Sequence, residues 1–298
     1  MSKEILILPP HLIEEAKWNN CIENSPHGLI YAQYDYLDNI CDHWHGIVVG
    51  DYEAIMALPW RKKYGFRYYY TPPFIQQLGI MGNTDAVDYD LLTRKIRQFA
   101  WYGNLHLNFS NHRLASALKA KNKTNFIINL TNGYADIQAA YSTDLKQILH
   151  KSSPGFLLTR NDDYLSAIES YKKNYAARMP HISEDEFSRF TIMCKQLNIN
   201  NACIVRSIHN EKGVMLSNAL LLKDNKRIYH LLNTTTPEGR LRHGNHWLID
   251  QILQEFSGRD LLFDFEGSEL EGVKAFYKKF GGHIQPYFQY KRNVLTGL

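Results

Sequence analysis

Three β-rich runs in succession, Ala202 to His209, Val214 to Leu222 and Arg227 to Thr234, constrain this chain more than any other feature. Each is dense in Ile, Leu, Val and Tyr, and turn-forming residues separate them, Asn210-Glu211-Lys212-Gly213 and Asp224-Asn225-Lys226. Such a pattern predicts an antiparallel meander. The chain then changes period. Apolar residues recur at helical spacing from about Asn245 to Phe256, Asp260 to Phe265 reads as a strand, Leu270 to Phe280 as a helix and Tyr287 to Arg292 as a strand. Strand–helix–strand crossovers pair in parallel, so the predicted fold class is α/β with a mixed sheet, antiparallel first and parallel later.

Two helices precede the meander. Asp162 to Met179 is helical and stops at Pro180, and Ser183 to Glu186 forms a capping box that opens a helix through about Gln196. The first half shows a similar order. Gly46 to Trp60 reads as a hairpin with Gly50-Asp51 at its turn, Arg67 to Tyr70 as a strand, and Val87 to Tyr102 as a helix. Leu105 to Phe109 is a short strand, Arg113 to Ala120 a helix and Asn125 to Leu130 an extended segment. The shared order predicts an internal duplication of structure, without a repeat at the level of residues. A chain of 298 residues accommodates two such domains. Punctuation is strongest after the helical stretch Gly133 to Ser153, at Ser152-Ser153-Pro154-Gly155. The expected domains are 1–145 and 146–298.

Composition removes several classes of function. With 44% apolar and 21% charged residues, the chain is not of a disordered type. The four cysteines have no paired spacing, which argues against a disulfide framework or a zinc ribbon. Cys41, His43 and His45 lack a spaced partner pair, so no metal is expected. No segment is long and apolar enough for a signal peptide or a membrane span, and a cytoplasmic location is the expectation. The net charge of +4 suits a phosphate-bearing ligand without demanding nucleic acid, and Lys119 to Lys123 reads as a solvated helix end rather than a tRNA site. A Gly-x-Ser-x-Gly elbow, a Walker loop and a dinucleotide fingerprint are all missing.

Asp264-Phe265-Glu266-Gly267-Ser268, followed by Gly272-Val273-Lys274-Ala275-Phe276-Tyr277-Lys278-Lys279-Phe280-Gly281-Gly282, resembles the end of the Fem-type branch of the GNAT acyltransferase superfamily. The resemblance is specific over roughly residues 200 to 292 and is one of layout over the first half, where Tyr31-Ala32-Gln33 and the Gly46 to Pro59 hairpin look similar to the family's opening. It implies two tandem GNAT-like domains, with the substrate cleft between them. It also implies an acyltransferase that moves an acyl or aminoacyl group from acyl-CoA or an aminoacyl ester to an acceptor amine on a small molecule or peptide. Fem-type peptidyltransferases of cell-wall synthesis take that group from aminoacyl-tRNA. The long helical arm often inserted in them is not evident, since Leu157 to Asn200 has room for two ordinary helices. A GNAT-like scaffold that binds a ligand without catalysis is the third possibility.

Candidate residues follow from both readings. Thr234 to Trp247 leads a strand into a helix through Gly239, Arg240, Arg242, Gly244 and Asn245, a seat for phosphate at a helix N-terminus. GNAT enzymes bind the coenzyme A pyrophosphate at the corresponding place, but the glycines here stand further apart than in that signature. Tyr277 matches the last-helix tyrosine that protonates the leaving group in many GNAT members; its other reading is as part of a packing stripe with Phe276 and Phe280. Asp264 and Glu266 alternate with Phe263 and Phe265, which puts both carboxylates on one strand face as candidate general bases. Arg206, Asn218 and Asn233 lie on the expected sheet as candidates for binding a substrate carboxylate or amide.

Overall fold

The computed structural model describes residues 3–152, 155–267 and 269–294. Met1, Ser2, Ser153, Pro154, Ser268 and 295–298 lie outside the described residues. Two compact units result: the described residues up to Lys123 together with those from Pro286 onward, and Thr124–Gln285. The division therefore falls between Lys123 and Thr124, not at 145, and the described residues from Pro286 onward return to the first unit.

The first unit contains β1 (Ile5–Leu8), α1 (Glu15–Asn24), α2 (Tyr34–Ile40), β2 (Trp44–Val49), β3 (Ala54–Lys63), β4 (Phe66–Tyr69) and β5 (Gly79–Gly82). It continues through α3 (Tyr89–Phe99), β6 (Tyr102–Leu107), α4 (His112–Leu118) and β7 (Lys121–Lys123). The second unit contains β8 (Phe126–Asn129), α5 (Tyr134–Ala139), α6 (Thr143–Ser152), β9 (Leu157–Arg160), α7 (Tyr164–Tyr175) and α8 (Glu184–Ile199). Then come β10 (Cys203–His209), β11 (Met215–Lys223), β12 (Arg227–Thr235), α9 (Pro237–Leu241), α10 (Gly244–Phe256), β13 (Leu262–Asp264), α11 (Glu271–Lys279) and β14 (His283–Ile284). The last strand, β15 (Tyr287–Asn293), pairs with β6 and β7 in the first unit.

Both sheets are mixed. The first runs β1-β2-β3-β4-β6-β15-β7, with β5 also on β3, and the second runs β14-β8-β13-β12-β11-β10-β9. The expected meander is present as β10, β11 and β12, all antiparallel, and the crossover through α9 and α10 brings β13 parallel to β12. Local chemistry explains the elements. Ser183 accepts from the Glu186 amide while the Glu186 carboxylate takes the Ser183 amide, so the capping box starts α8 as read from the sequence. Along α10, Leu248, Ile249, Ile252, Leu253 and Phe256 form one buried stripe against the sheet. The core of this unit also takes Ile204, Leu221, Ile228, Phe263, Phe265 and Phe280 from the strands and from the end of α11.

Two features of β12 place the site. The register against β11 shifts between Leu220 and Leu221, because Leu220 faces Leu232 and Leu221 faces His230; Leu231 is the extra, bulged residue. The parallel pairing to β13 covers Arg227 to Tyr229 only, after which the two strands part. From His230 to Thr235, β12 therefore runs beside a gap.

Candidate active site

The gap holds two adjoining hollows within the second unit. The larger, about 450 Å³, is lined by Tyr171 and Tyr175 of α7, His230 and Asn233 of β12, Glu266 after β13, and Tyr277 of α11, among others. The smaller, about 310 Å³, is lined by Tyr175, Asn233, Gly239, Arg240, Asn245 and His246, among others. Tyr175 and Asn233 belong to both, so the two are neighbouring compartments. Strand geometry supplies a backbone donor as well. The Thr236 amide bonds Leu216 O on β11, so alternation turns the amides of Thr235 and Asn233 toward the gap. That of Thr235 meets the Tyr175 hydroxyl at 3.4 Å.

Tyr277, on α11, lines the larger hollow. Its ring stacks on Phe265, with centroids 4.4 Å apart and planes 27° apart. Burial raises its hydroxyl above the usual phenol range, and the negative charges of Glu266 and Asp264 push in the same direction. It is thus protonated through the neutral range. The residue both packs against the core and lines the larger hollow.

Asp264 does not share a face with Glu266. Strand β13 ends at Asp264, and Glu266 has a left-handed backbone, φ +62°, so the alternation expected from Asp260 to Phe265 does not carry on to Glu266. Asp264 is fully buried and ion-paired with Arg227, and it also accepts from Asn125 Nδ2 at 2.9 Å and from the Glu266 amide at 2.8 Å. Those contacts remove it as a base and make it the anchor of the turn that presents Glu266. A non-glycine residue at positive φ is held there by such anchoring. Only Glu266 lines the hollow.

The remaining expected residues divide. Asn233 donates from Nδ2 to Asn245 Oδ1 at 2.8 Å, and Ser217 Oγ reaches the same oxygen at 3.4 Å. Both asparagines line the smaller hollow. Asn218 is buried on β11 and gives its carbonyl to Asn233 without lining either hollow. Arg206 sits elsewhere, in a two-point ion pair with Glu255 at 2.6 and 2.9 Å on the face under α10. Arg242 also points away, stacked over Phe156 at 4.7 Å and paired with Glu238.

The expected phosphate loop contains a short helix, α9, which takes up several of its amides. Thr236 caps it, accepting from the Gly239 amide at 3.1 Å, and its carbonyl takes the Arg240 amide. Gly239 is required for packing: a Cβ there would come within 2.1 Å of Leu216 O. Among the described residues, the amides of Gly244 and Asn245 at the start of α10 carry no hydrogen bond, and Arg240 is the cation beside them. Of these, Asn245 and Arg240 line the smaller hollow, whereas Gly244 is buried; a helix N-terminus with one guanidinium can hold an anionic group there.

Two histidines at the site are buried enough to stay neutral. Burial lowers His246 to about 4, and its ring meets Phe276 edge-on at 4.7 Å. Burial alone lowers His230 to about 4. In the unfolded chain His230 binds a proton near pH 6.5, so between 6.5 and 4 the unfolded state holds more protons than the folded one. Its contribution to stability is therefore complete above 6.5 and is lost as pH falls toward 4, by on the order of 3 kcal/mol. Urea unfolding at pH 7 and pH 4.5 checks this: the wild-type protein should lose more stability on acidification than His230→Phe.

Sequence reading did not single out Tyr171, Tyr175 or His230. The two tyrosines, four apart on α7, form an i,i+4 aromatic pair that the sequence does contain. Nothing in one dimension distinguishes His230 from its strand neighbours. Among the described residues no helix is long and apolar enough to cross a membrane, and no three His, Cys, Asp or Glu side chains gather at a point.

The sequence matches no protein-family model and no curated protein. Solved structures are similar in fold over nearly the whole chain. FemX aligns with TM-score 0.69 at 14% identity, covering 97% of this chain and 98% of that one. L-PGS from Bacillus licheniformis aligns with TM-score 0.56 at 10% identity, covering 98% and 94%. A conserved protein of unknown function from Bacteroides thetaiotaomicron aligns with TM-score 0.59 at 11% identity, covering 94% and 98%. The fold is accordingly the two-domain, GNAT-like fold of the Fem type.

Proposed function

We propose, from this Fem-type fold, that the chain is an N-acyltransferase that moves an aminoacyl group from an aminoacyl ester to an acceptor amine at the gap beside β12. The observation that carries the reading is the convergence of Glu266, Tyr277 and Asn233 on one hollow where β12 and β13 part. In the proposed reaction the amine nitrogen attacks the ester carbonyl and a C–N bond forms. The proton leaving that nitrogen passes to the Glu266 carboxylate. The carbonyl oxygen, negative in the tetrahedral intermediate, faces the Asn233 amide at the strand edge. The C–O bond then breaks, and the Tyr277 hydroxyl supplies the proton that the departing oxygen takes up.

Two observations favour an ester over a coenzyme A thioester. The smaller hollow offers donors for one phosphate, as at the 3′ end of a charged tRNA. A phenol pushed above its usual range is also better matched to a departing alkoxide than to a thiolate. A domain of a putative lysylphosphatidylglycerol synthetase, similar in fold with TM-score 0.57 at 11% identity, supports an aminoacyl group as the one transferred. Isothermal titration with coenzyme A tests the choice of donor. The expected result is no binding in the micromolar range. Micromolar binding that weakens in Arg240→Ala would move the donor to acyl-CoA.

A further inference from the structure

The proposed reaction leaves His230 without a task. Its side chain is 6% exposed, yet among the described residues neither Nδ1 nor Nε2 has a hydrogen-bond partner. A buried polar group left unpaired costs about 1–3 kcal/mol, so one that persists in a folded protein calls for an explanation. Phe263 and Phe265 crowd the ring, with centroids at 5.8 and 6.3 Å, and the residue lies beside the bulge at Leu231. It lines the larger hollow, whose other walls are mostly carbon: Tyr171, Tyr175, Met179, Phe265 and Tyr277. The lone imidazole is thus a hydrogen-bonding spot in an aromatic compartment.

We infer that His230 reads the side chain of the transferred group, and that the compartment takes an apolar or aromatic side chain ending in an uncharged hydrogen-bonding group such as a hydroxyl. This rests on the aminoacyl-transfer reading of the same site. A neutral imidazole offers one donor and one acceptor, which a hydroxyl can satisfy on either nitrogen. A proton-accepting role fits poorly, because burial keeps the ring near 4, far below an attacking amine. An anionic side chain fits no better: Glu266 lines the same hollow, and the neutral ring offers no positive charge to compensate lost hydration. A site that hydrogen-bonds a hydroxyl rejects the analogue that lacks it, since the buried polar group is then left unpaired.

The test needs a readout that does not depend on turnover. Titrating the labelled protein with p-cresol and with toluene, while following the imidazole nitrogens by NMR, asks whether this ring meets a hydroxyl. The expected result is a shift of the His230 resonances with p-cresol and tighter binding of p-cresol than toluene by about 10-fold, the worth of one hydrogen bond. His230→Phe should abolish that preference while still binding toluene, and His230→Gln should keep part of it. A parallel transfer assay with tRNA charged with Tyr or Phe should favour Tyr in the wild-type protein and lose that preference in His230→Phe. Equal binding of p-cresol and toluene, or no change at the His230 ring, would overturn the assignment. Absence of transfer with the p-cresol preference intact would instead remove the aminoacyl reading and leave His230 as the hydroxyl-binding group of a compartment with another ligand.

Discussion

Tyr277→Phe is expected to lower kcat by about 10²- to 10³-fold with KM little changed, the usual scale for loss of one proton donor. The variant keeps the ring stacked on Phe265 and its place beside Phe126 and Phe276, so the core of the second unit is not disturbed. Only the hydroxyl is lost. Without it, the departing oxygen must leave as an alkoxide or find a proton in water. A donor whose leaving group is already a good one, such as an activated phenyl ester, should therefore narrow the difference between variant and wild type. Single-turnover measurements with both donors check this; an equal loss with both would mean that the hydroxyl binds substrate and does not donate a proton.

Asp264→Ala is expected to lower the unfolding free energy by about 3–5 kcal/mol, because removing the carboxylate takes the ion-pair partner from a buried Arg227 charge. Arg227 is 3% exposed and also donates from Nη2 to Gln285 Oε1 at 2.9 Å. Asn125 and the Glu266 amide lose their acceptor in the same step. A double variant, Arg227→Met with Asp264→Leu, should recover much of the stability, since an apolar pair replaces the ionic one without an orphaned charge. It should not recover activity, because the turn that presents Glu266 still lacks its anchor. Urea unfolding and transfer rates on the two variants separate these effects. Recovery of both together would show that the ion pair contributes stability alone.

Elements with a local cause were legible in the sequence, and contacts made at long range were not. The meander, the capping box at Ser183 and the stripe on α10 each follow from short-range pattern, and each stands within a residue or two of where periodicity put it. Helix α9 was hidden because Thr236-Pro237 reads as a turn, although Thr236 is a capping residue and proline suits the first helical turn. The pairing of Asp264 with Glu266 failed at one backbone angle: alternation holds only while the chain stays extended, and Glu266 is left-handed. Arg206 on the sheet looked available for a ligand because Glu255, its partner, lies 49 residues away. The division of units could not be read either. Strand β8 joins the second sheet and β15 the first, a pairing that punctuation near residue 150 does not encode.

The most direct test of acyl transfer at this hollow is a single-turnover assay with tRNA charged with a radiolabelled amino acid, a peptide bearing a free amine, and either the wild-type protein or Glu266→Gln. Transfer of label to the peptide by the wild-type protein, slowed about 10²-fold or more in Glu266→Gln at unchanged thermal stability, is the predicted result. Transfer that proceeds equally well in both proteins, or no transfer to any amine while acetyl-CoA supports acylation, would contradict it.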